Sequence, residues 1–235
     1  MKTLWTNLLS PSSSNSKWLT EPRDGKEEAE RTVSGTTSVS KDEIRGRYKR
    51  MRAAHSPSAL AELGLRVAAN LCSSDLFLNS SKVALYAPHR GEVDVLSAFD
   101  ALKKNGKRAF FPRVCGEGLK FFEVLRADEL SPGSFSILEP PADPSREAAV
   151  PELDLMVVPG LCFDRFGSRV GSGKGFYDRA AANTEPSKVC AVAYGFQFVD
   201  FELPREPHDR RAGFVITERG VFRAQQITKR NGDEK

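Results

Sequence analysis

The chain has 235 residues, 40% hydrophobic and 28% charged, the balance of a globular domain with room for one sizeable core. Its net charge of +4 suits an anionic ligand without demanding nucleic acid, and no apolar run approaches the roughly 20 residues that span a bilayer. Cys72, Cys115, Cys162 and Cys190 form no C-x-x-C pair and lie away from the three histidines, which argues against a zinc cluster and for reduced thiols in a cytoplasmic protein.

Residues 1–39 read as a disordered N-terminal tail. The stretch SPSSSNSKWLTEPRDGKEEAERTVSGTTSVS is rich in Ser, Thr, Gly and charge and has almost no periodic apolar residues, so it cannot bury enough surface to offset its ordering entropy. It has no long apolar stretch of a signal peptide, and Glu21, Asp24, Glu27, Glu28 and Glu30 disfavour a transit peptide. One domain is expected over residues 40–226, and residues 227–235 read as a polar C-terminal tail.

Order begins at SKDE, a capping box with Ser40 as cap and Glu43 reaching back. Ile44, Tyr48 and Met51 then recur at helical spacing as an apolar stripe, with Lys41, Arg45, Lys49 and Arg52 on a neighbouring basic one. A second helix is expected over 57–71, with Ser56 as cap and Pro57 in its first turn. KVALYAP (82–88) reads as a buried strand. VDVLSAFDALKKNG reads as a helix with Val95, Phe99 and Leu102 inward and Gly106 as its stop. KRAFFP is the next strand, and LKFFEV (119–124) alternates with period two like a hairpin arm. LDLMVVPG (153–160) is a nearly continuous apolar run, typical of a strand covered on both faces. A short loop, LCFDRF, leads to the glycine-rich stretch GSRVGSGKGFYDR, after which a helix, the strand KVCAVAYG (188–195) and a short strand GFVITE are expected. This alternation predicts an α/β fold with a mainly parallel sheet.

The glycine-rich stretch is neither a P-loop nor a dinucleotide fingerprint. Ser168 stands where a P-loop has its first glycine, no hydroxyl follows Lys174, and Gly171, Gly173 and Gly175 have the wrong spacing for G-x-G-x-x-G. It nevertheless follows the most apolar strand, where ligands of open α/β sheets bind. Alternating glycines can turn successive N–H groups into an anion nest, Arg169 and Lys174 add positive charge, and Asp178 can hold a metal ion, a set that suits a polyphosphate with magnesium. The plainer reading is a flexible loop at a helix start. The basic stripe likewise reads as a solvated face, Glu92 as an acid at a helix start, and His208 with Asp209 as loop hydrogen bonding.

The motifs KDEIRGRYKRMR, LYAPHRGEVDV, FPRV, ILEPP, VPGLCFDRFGSRVGSGKGFYDR, AYGFQ and PHDRRAGFVIT, in that order, resemble the 5-formyltetrahydrofolate cyclo-ligase family over residues 41–222. The long glycine-containing block is the most specific of them. The resemblance implies a single-domain, three-layer Rossmann-like fold. It implies ATP-dependent conversion of 5-formyltetrahydrofolate to 5,10-methenyltetrahydrofolate through a phosphorylated formyl oxygen, with release of ADP and phosphate. It also implies a magnesium requirement and this small-molecule substrate as the partner; no nucleic acid, no membrane and a monomeric chain are expected.

Carried over by motif, Lys41, Asp42, Glu43, Ile44 and Arg45 fall at ATP-binding positions. So do Arg169, Val170, Gly171, Ser172, Gly173, Lys174, Gly175, Phe176 and Tyr177. Arg45, Ala87, Glu92 and the run Ser172 to Phe176 fall on the folate side. Asp178 and Asp209 fall at metal positions, and Lys174, Arg45 and Arg169 at catalytic ones. The chain departs from the family at Ser172, where relatives often carry Arg or an aromatic residue, and at Gly213, where a second aspartate is usual. A non-catalytic nucleotide-binding relative acting as scaffold or regulator is the alternative reading.

Overall fold

The computed structural model describes residues 39–226; the tails expected at 1–39 and 227–235 lie, apart from Val39, outside them. Ser40 opens α1 (Lys41–Ala53) with the expected capping box: its Oγ accepts from Glu43 N at 3.2 Å, and the Glu43 carboxylate accepts from Ser40 N at 2.8 Å. Ser56 caps α2 (Pro57–Ser73) through Ala59 N at 3.2 Å. Then come α3 (Asp75–Leu78), β1 (Lys82–Ala84), α4 (Leu96–Lys104), β2 (Arg108–Cys115) and β3 (Gly118–Val124). Three two-residue strands follow, β4 (Ser131–Pro132), β5 (Leu138–Glu139) and β6 (Glu147–Ala148). The remainder is β7 (Leu155–Val158), β8 (Cys162–Asp164), β9 (Arg169–Val170), α5 (Phe176–Ala180), β10 (Val189–Val192), β11 (Phe198–Val199), β12 (Phe214–Thr217) and β13 (Gly220–Arg223).

The main sheet has eight strands in the order β13-β12-β10-β7-β1-β2-β3-β6. Its five central strands are parallel, with Val83 opposite Ala109 and Leu155, Cys190 opposite Val157, and Ala191 opposite Val215. The edges are antiparallel: β3 folds back on β2 with Phe111 opposite Phe122, β6 adds to β3, and β13 pairs with β12. The sheet is therefore mixed rather than purely parallel. The flanking hairpins need only tight turns, whereas parallel neighbours need crossovers.

β7 is buried along its whole length, as the unbroken apolar run requires. Its residues alternate between two cores. Leu155 and Val157 join Val83, Leu85, Val67, Leu71, Phe99 and Leu102 beneath α2 and α4. Met156 and Val158 join Ala84, Ala191, Ala193, Phe163 and Ala181 on the other face. That second face carries smaller side chains and is covered by short pieces, α5 and the β8 strand, so the third layer is thin. A separate small core places Ile44 and Tyr48 of α1 against Leu161, Cys162 and Val170.

Three local expectations change. The ladder of β1 stops at Ala84 rather than Pro88, although Leu85 N still donates to Phe110 O at 2.8 Å. LCFDRF is not a loop: β8 and β9 form a hairpin, extended by β11 into a three-stranded sheet. Strands of three and two residues are too short to reveal a period in sequence. The helix after the glycines has only five residues.

Taken in chain order, the parallel strands are β1, β2, β7, β10 and β12, while in space they run β2-β1-β7-β10-β12. The chain first winds outward from β1 to β2 and then returns to the other side of β1. Connections leaving the carboxyl ends of β1 and β7 therefore diverge and leave a crevice between them.

Candidate active site

That crevice is a cavity of about 1090 Å3, lined by the segment after β1, by the glycine-rich loop after β9, and by one face of α1. It is larger than the roughly 300–1,000 Å3 of a site for one drug-sized ligand.

The glycine loop is aimed from below. Asp164, fully buried at the end of β8, accepts from Phe166 N at 2.9 Å, Ser168 N at 2.8 Å and Leu203 N at 2.9 Å. This fixes the β8–β9 turn and so the exit of Arg169. Gly173 and Gly175 have φ values of +100° and +65°, backbone that side chains rarely tolerate, and Gly175 stands at the N-cap of α5. Arg179 braces the loop, donating to Lys174 O at 2.9 Å and to Glu117 O at 2.7 Å. Lys174 itself is exposed, and among the described residues it has no carboxylate partner; its ammonium lies 5.4 Å from the centre of the Phe135 ring.

Across the loop, α1 presents Lys41 and Arg45 one turn apart. Arg45 Nε donates to Gly171 O at 3.1 Å, and its Nη1 lies 2.5 Å from Asp42. Lys41 Nζ lies 2.6 Å from Asp209 and 2.8 Å from Glu206. Burial opposes the Lys41 charge, but the hydrogen bonds that Lys41 donates to Asp209 and Glu206 outweigh it and hold the ammonium above its ordinary pKa. Burial likewise pushes Asp209 up, while Lys41 and the Glu206 N–H pull it below the usual carboxylate range. Arg169 Nη2 pairs with Asp178 at 2.9 Å, and Asp178 also accepts from Arg210 N at 3.2 Å.

The other end of the cavity is walled by Tyr86, Tyr177 and Tyr194 around Glu92. The turn that carries Glu92 has Arg90 and Gly91 at φ values of 48° and 74°. The Glu92 carboxylate reaches back to His89 N at 3.2 Å, and Tyr194 donates to Glu92 O at 3.3 Å. Burial pushes the Glu92 carboxyl up to about 7, against the pull of the His89 N–H and the Arg52 charge.

The structure thus brings Lys41, Arg45, Ala87, Glu92, the whole run from Arg169 to Tyr177, Asp178 and Asp209 to one cavity. Asp42, Glu43 and Ile44 do not line it. Asp42 points to solvent and Arg45, Glu43 is spent on the cap, and Ile44 is 3% exposed in the small core. Among the described residues, Glu206, His208 and Asp209 form a group of three whose carboxylate and imidazole atoms are close enough to share an ion, and Lys41 already occupies that acidic corner. Gly213 lies elsewhere, in a second cavity of about 340 Å3, with its N–H bonded to Pro186 O at 2.7 Å.

Lys49, Arg52, Tyr86, Phe135, Glu139, Tyr194 and Glu206 also line the site and were not singled out from sequence. Lys49 and Arg52 belonged to the basic stripe, which was the available signal. The others sit in irregular segments or, for Glu139, in a two-residue strand, with no period to mark them.

The sequence profile described as the 5-formyltetrahydrofolate cyclo-ligase family matches residues 37–218. The 5-formyltetrahydrofolate cyclo-ligase of Escherichia coli K12 is 28% identical over 179 residues, 74% of this chain and 98% of that protein. A solved structure of Aquifex aeolicus 5,10-methenyltetrahydrofolate synthetase superposes with a TM-score of 0.70 at 32% identity, covering 83% of this chain and 99% of the other. The Mycoplasma pneumoniae 5,10-methenyltetrahydrofolate synthetase structure, at 23% identity, shares the fold with a TM-score of 0.61, covering 77% of this chain and 99% of the other.

Proposed function

The chain belongs to the 5-formyltetrahydrofolate cyclo-ligase family, and from that premise we propose that this ligase converts 5-formyltetrahydrofolate to 5,10-methenyltetrahydrofolate at the expense of ATP. The observation that carries the reading is one continuous cavity with two chemically distinct ends. A cation-lined glycine loop lies at one end and a half-buried carboxyl among tyrosines at the other. A polyphosphate and a pteridine fit those ends respectively.

The loop has the features that suit a nucleotide. Positive-φ glycines expose backbone N–H groups, and Arg45, Arg169 and Lys174 surround them. The bound nucleotide would supply the phosphoryl group. Magnesium enters only as the ordinary companion of a triphosphate, because Asp178 and Asp209 are each taken by a cation, and no step is drawn through it.

The formyl group on N5 is amide-like, and direct attack by N10 would have to expel oxide. Once its oxygen carries a phosphoryl group, the formyl carbon accepts the N10 lone pair, the C–O bond breaks, and inorganic phosphate leaves as N10 loses its proton. The residues' task is to hold the formyl oxygen at attack distance and to screen the phosphate charge. Arg45 and Arg169 are held in place by Gly171 O and Asp178, and Lys174 is the free cation among the described residues of the loop. Glu92 accepts from the pteridine ring at the far end. No enzyme nucleophile is required: Cys162 and Cys190 are buried, with their thiols pushed up to about 12.

The test mixes the protein with ATP, magnesium and 5-formyltetrahydrofolate labelled with oxygen-18 in the formyl group. Growth of the methenyl chromophore with the label in inorganic phosphate is the expected result. Absence of the chromophore overturns the function, and label released into water overturns the route.

A further inference from the structure

Arg52 carries a charge that the mechanism above does not use. It stands at the third step of the buried stripe Ile44, Tyr48, Arg52 on α1, where a helix facing its core ordinarily presents an apolar side chain. It is only 9% exposed, and its Nη1 is sealed from solvent without a hydrogen-bond partner. Its Cγ and Cδ lie beneath Gly91, each 3.7 Å from where a Cβ on that glycine would sit. Among the described residues it joins no salt bridge. A guanidinium withdrawn from water with an acceptor missing destabilises the fold, and Met or Leu would fill the stripe without that cost.

The surroundings of Arg52 explain the cost. It lines the tyrosine-walled end of the cavity together with Glu92. The two opposite charges sense each other but are not paired. A direct ion pair would satisfy both without a ligand; held apart, they leave room for something between or across them. The remaining titratable groups around them are Tyr86, Tyr177 and Tyr194, all kept protonated by burial, together with His89 and Asp94. A carboxylate that accepts beside a guanidinium that donates is complementary to a ring edge presenting donor, donor and acceptor in a row.

Resting on the folate reading, we infer that Arg52 is a specificity-determining residue that donates to the 4-oxo group of the pteridine, while the neighbouring Glu92 accepts from its N3–H and 2-amino group. The pair reads the pyrimidine edge as a unit. It selects a 4-oxo over a 4-amino pteridine, because an amino group at that position would turn a donor toward the guanidinium.

The experiment measures equilibrium binding of 5-formyltetrahydrofolate and of its 4-amino analogue to wild type and to Arg52→Met by calorimetry without nucleotide. Wild type is expected to prefer the 4-oxo ligand. Arg52→Met is expected to lose about ten- to a hundredfold in affinity for it, the scale of a hydrogen bond to a charged group, and most of the preference with it. ATP affinity should stay within about twofold and the melting temperature should not fall, since a buried unpaired charge has been removed. The acidic limb of the kcat/KM profile should also move to higher pH, because Glu92 loses the Arg52 charge that draws its carboxyl down. Arg52→Gln, two heavy atoms shorter, serves as the second variant and should lose the preference too. A folded variant of either kind that keeps the wild-type preference overturns the assignment and leaves the cyclo-ligase reading intact. A wild-type chain that binds no 5-formyltetrahydrofolate overturns both.

Discussion

The Lys41 ammonium lies 2.6 Å from the Asp209 carboxylate across 168 residues of sequence, tying the first turn of α1 to the loop after β11. The side chains are 15% and 11% exposed, so the pair is shielded more than an ordinary surface bridge.

A double-mutant cycle with Lys41→Met and Asp209→Asn should give a coupling of about 1 kcal/mol at neutral pH. The Asp209 pKa is depressed on folding, so its contribution is present above the unfolded value and lost as pH falls through the folded one. The Lys41 pKa is raised, so its contribution is present below the unfolded value and lost as pH rises through the folded one. The coupling should therefore hold a plateau between about pH 4 and about pH 10 and vanish outside it. Urea unfolding across that range checks it; a coupling unchanged at pH 2 would contradict the pairing.

Lys174→Ala should lower kcat by about two to three orders of magnitude, the scale of a lost electrostatic stabiliser. The side chain is exposed and, among the described residues, joins no ion pair, so the melting temperature should hardly move. Turnover near wild type, read from the methenyl absorbance, would remove Lys174 from the chemistry.

Glu92 titrates near 7 because burial raises it, so kcat/KM for the folate should fall as pH drops through that value and the accepting carboxylate is lost. Stability runs the other way. Between the unfolded carboxylate pKa of about 4.3 and the folded value, the native state binds the extra proton, so stability declines as pH rises across that window. Glu92→Gln should therefore raise the melting temperature at pH 8 and bring no gain near pH 4, while lowering kcat/KM at pH 8 and changing it little at pH 4, where the wild-type carboxyl is already protonated. A variant less stable than wild type at pH 8 would contradict the burial argument.

Gly213→Asp would supply the second aspartate that the resemblance implies, yet it should damage this chain. A Cβ there would meet Pro186 O at 2.3 Å, and the position opens on the smaller cavity rather than on the site. Overpacking of this kind costs about 1–3 kcal/mol, or roughly 2–12 °C in melting temperature for a domain of this size. An unchanged melting curve would refute it.

Features encoded within a few residues were legible before the structure. The Ser40–Glu43 box, the Ser56 cap and the unbroken apolar run of β7 each follow from local pattern. The glycine loop was legible as a place but not as a shape. Its aim depends on Asp164, whose buried carboxylate reads in sequence as one more acid in a loop. Strand order was not legible, because pairing β1 with β7 depends on contacts far apart in the chain. Arg52 was misplaced for a specific reason. Counting basic residues put it on the polar stripe, whereas steps of four from Ile44 and Tyr48 put it on the buried one.

The attachment of α1 also bears on the order in which the chain matures as it is made. α1 is the first described helix to leave the ribosome, but its partners are β8, β9 and Asp209, which are made much later. Local pairing such as the β2–β3 hairpin can form during synthesis, while α1 waits for a docking surface that does not yet exist. A nascent chain stalled before Asp209 would thus hold six of the eight main-sheet strands and most of the core, yet lack the loop that locks α1 across the crevice.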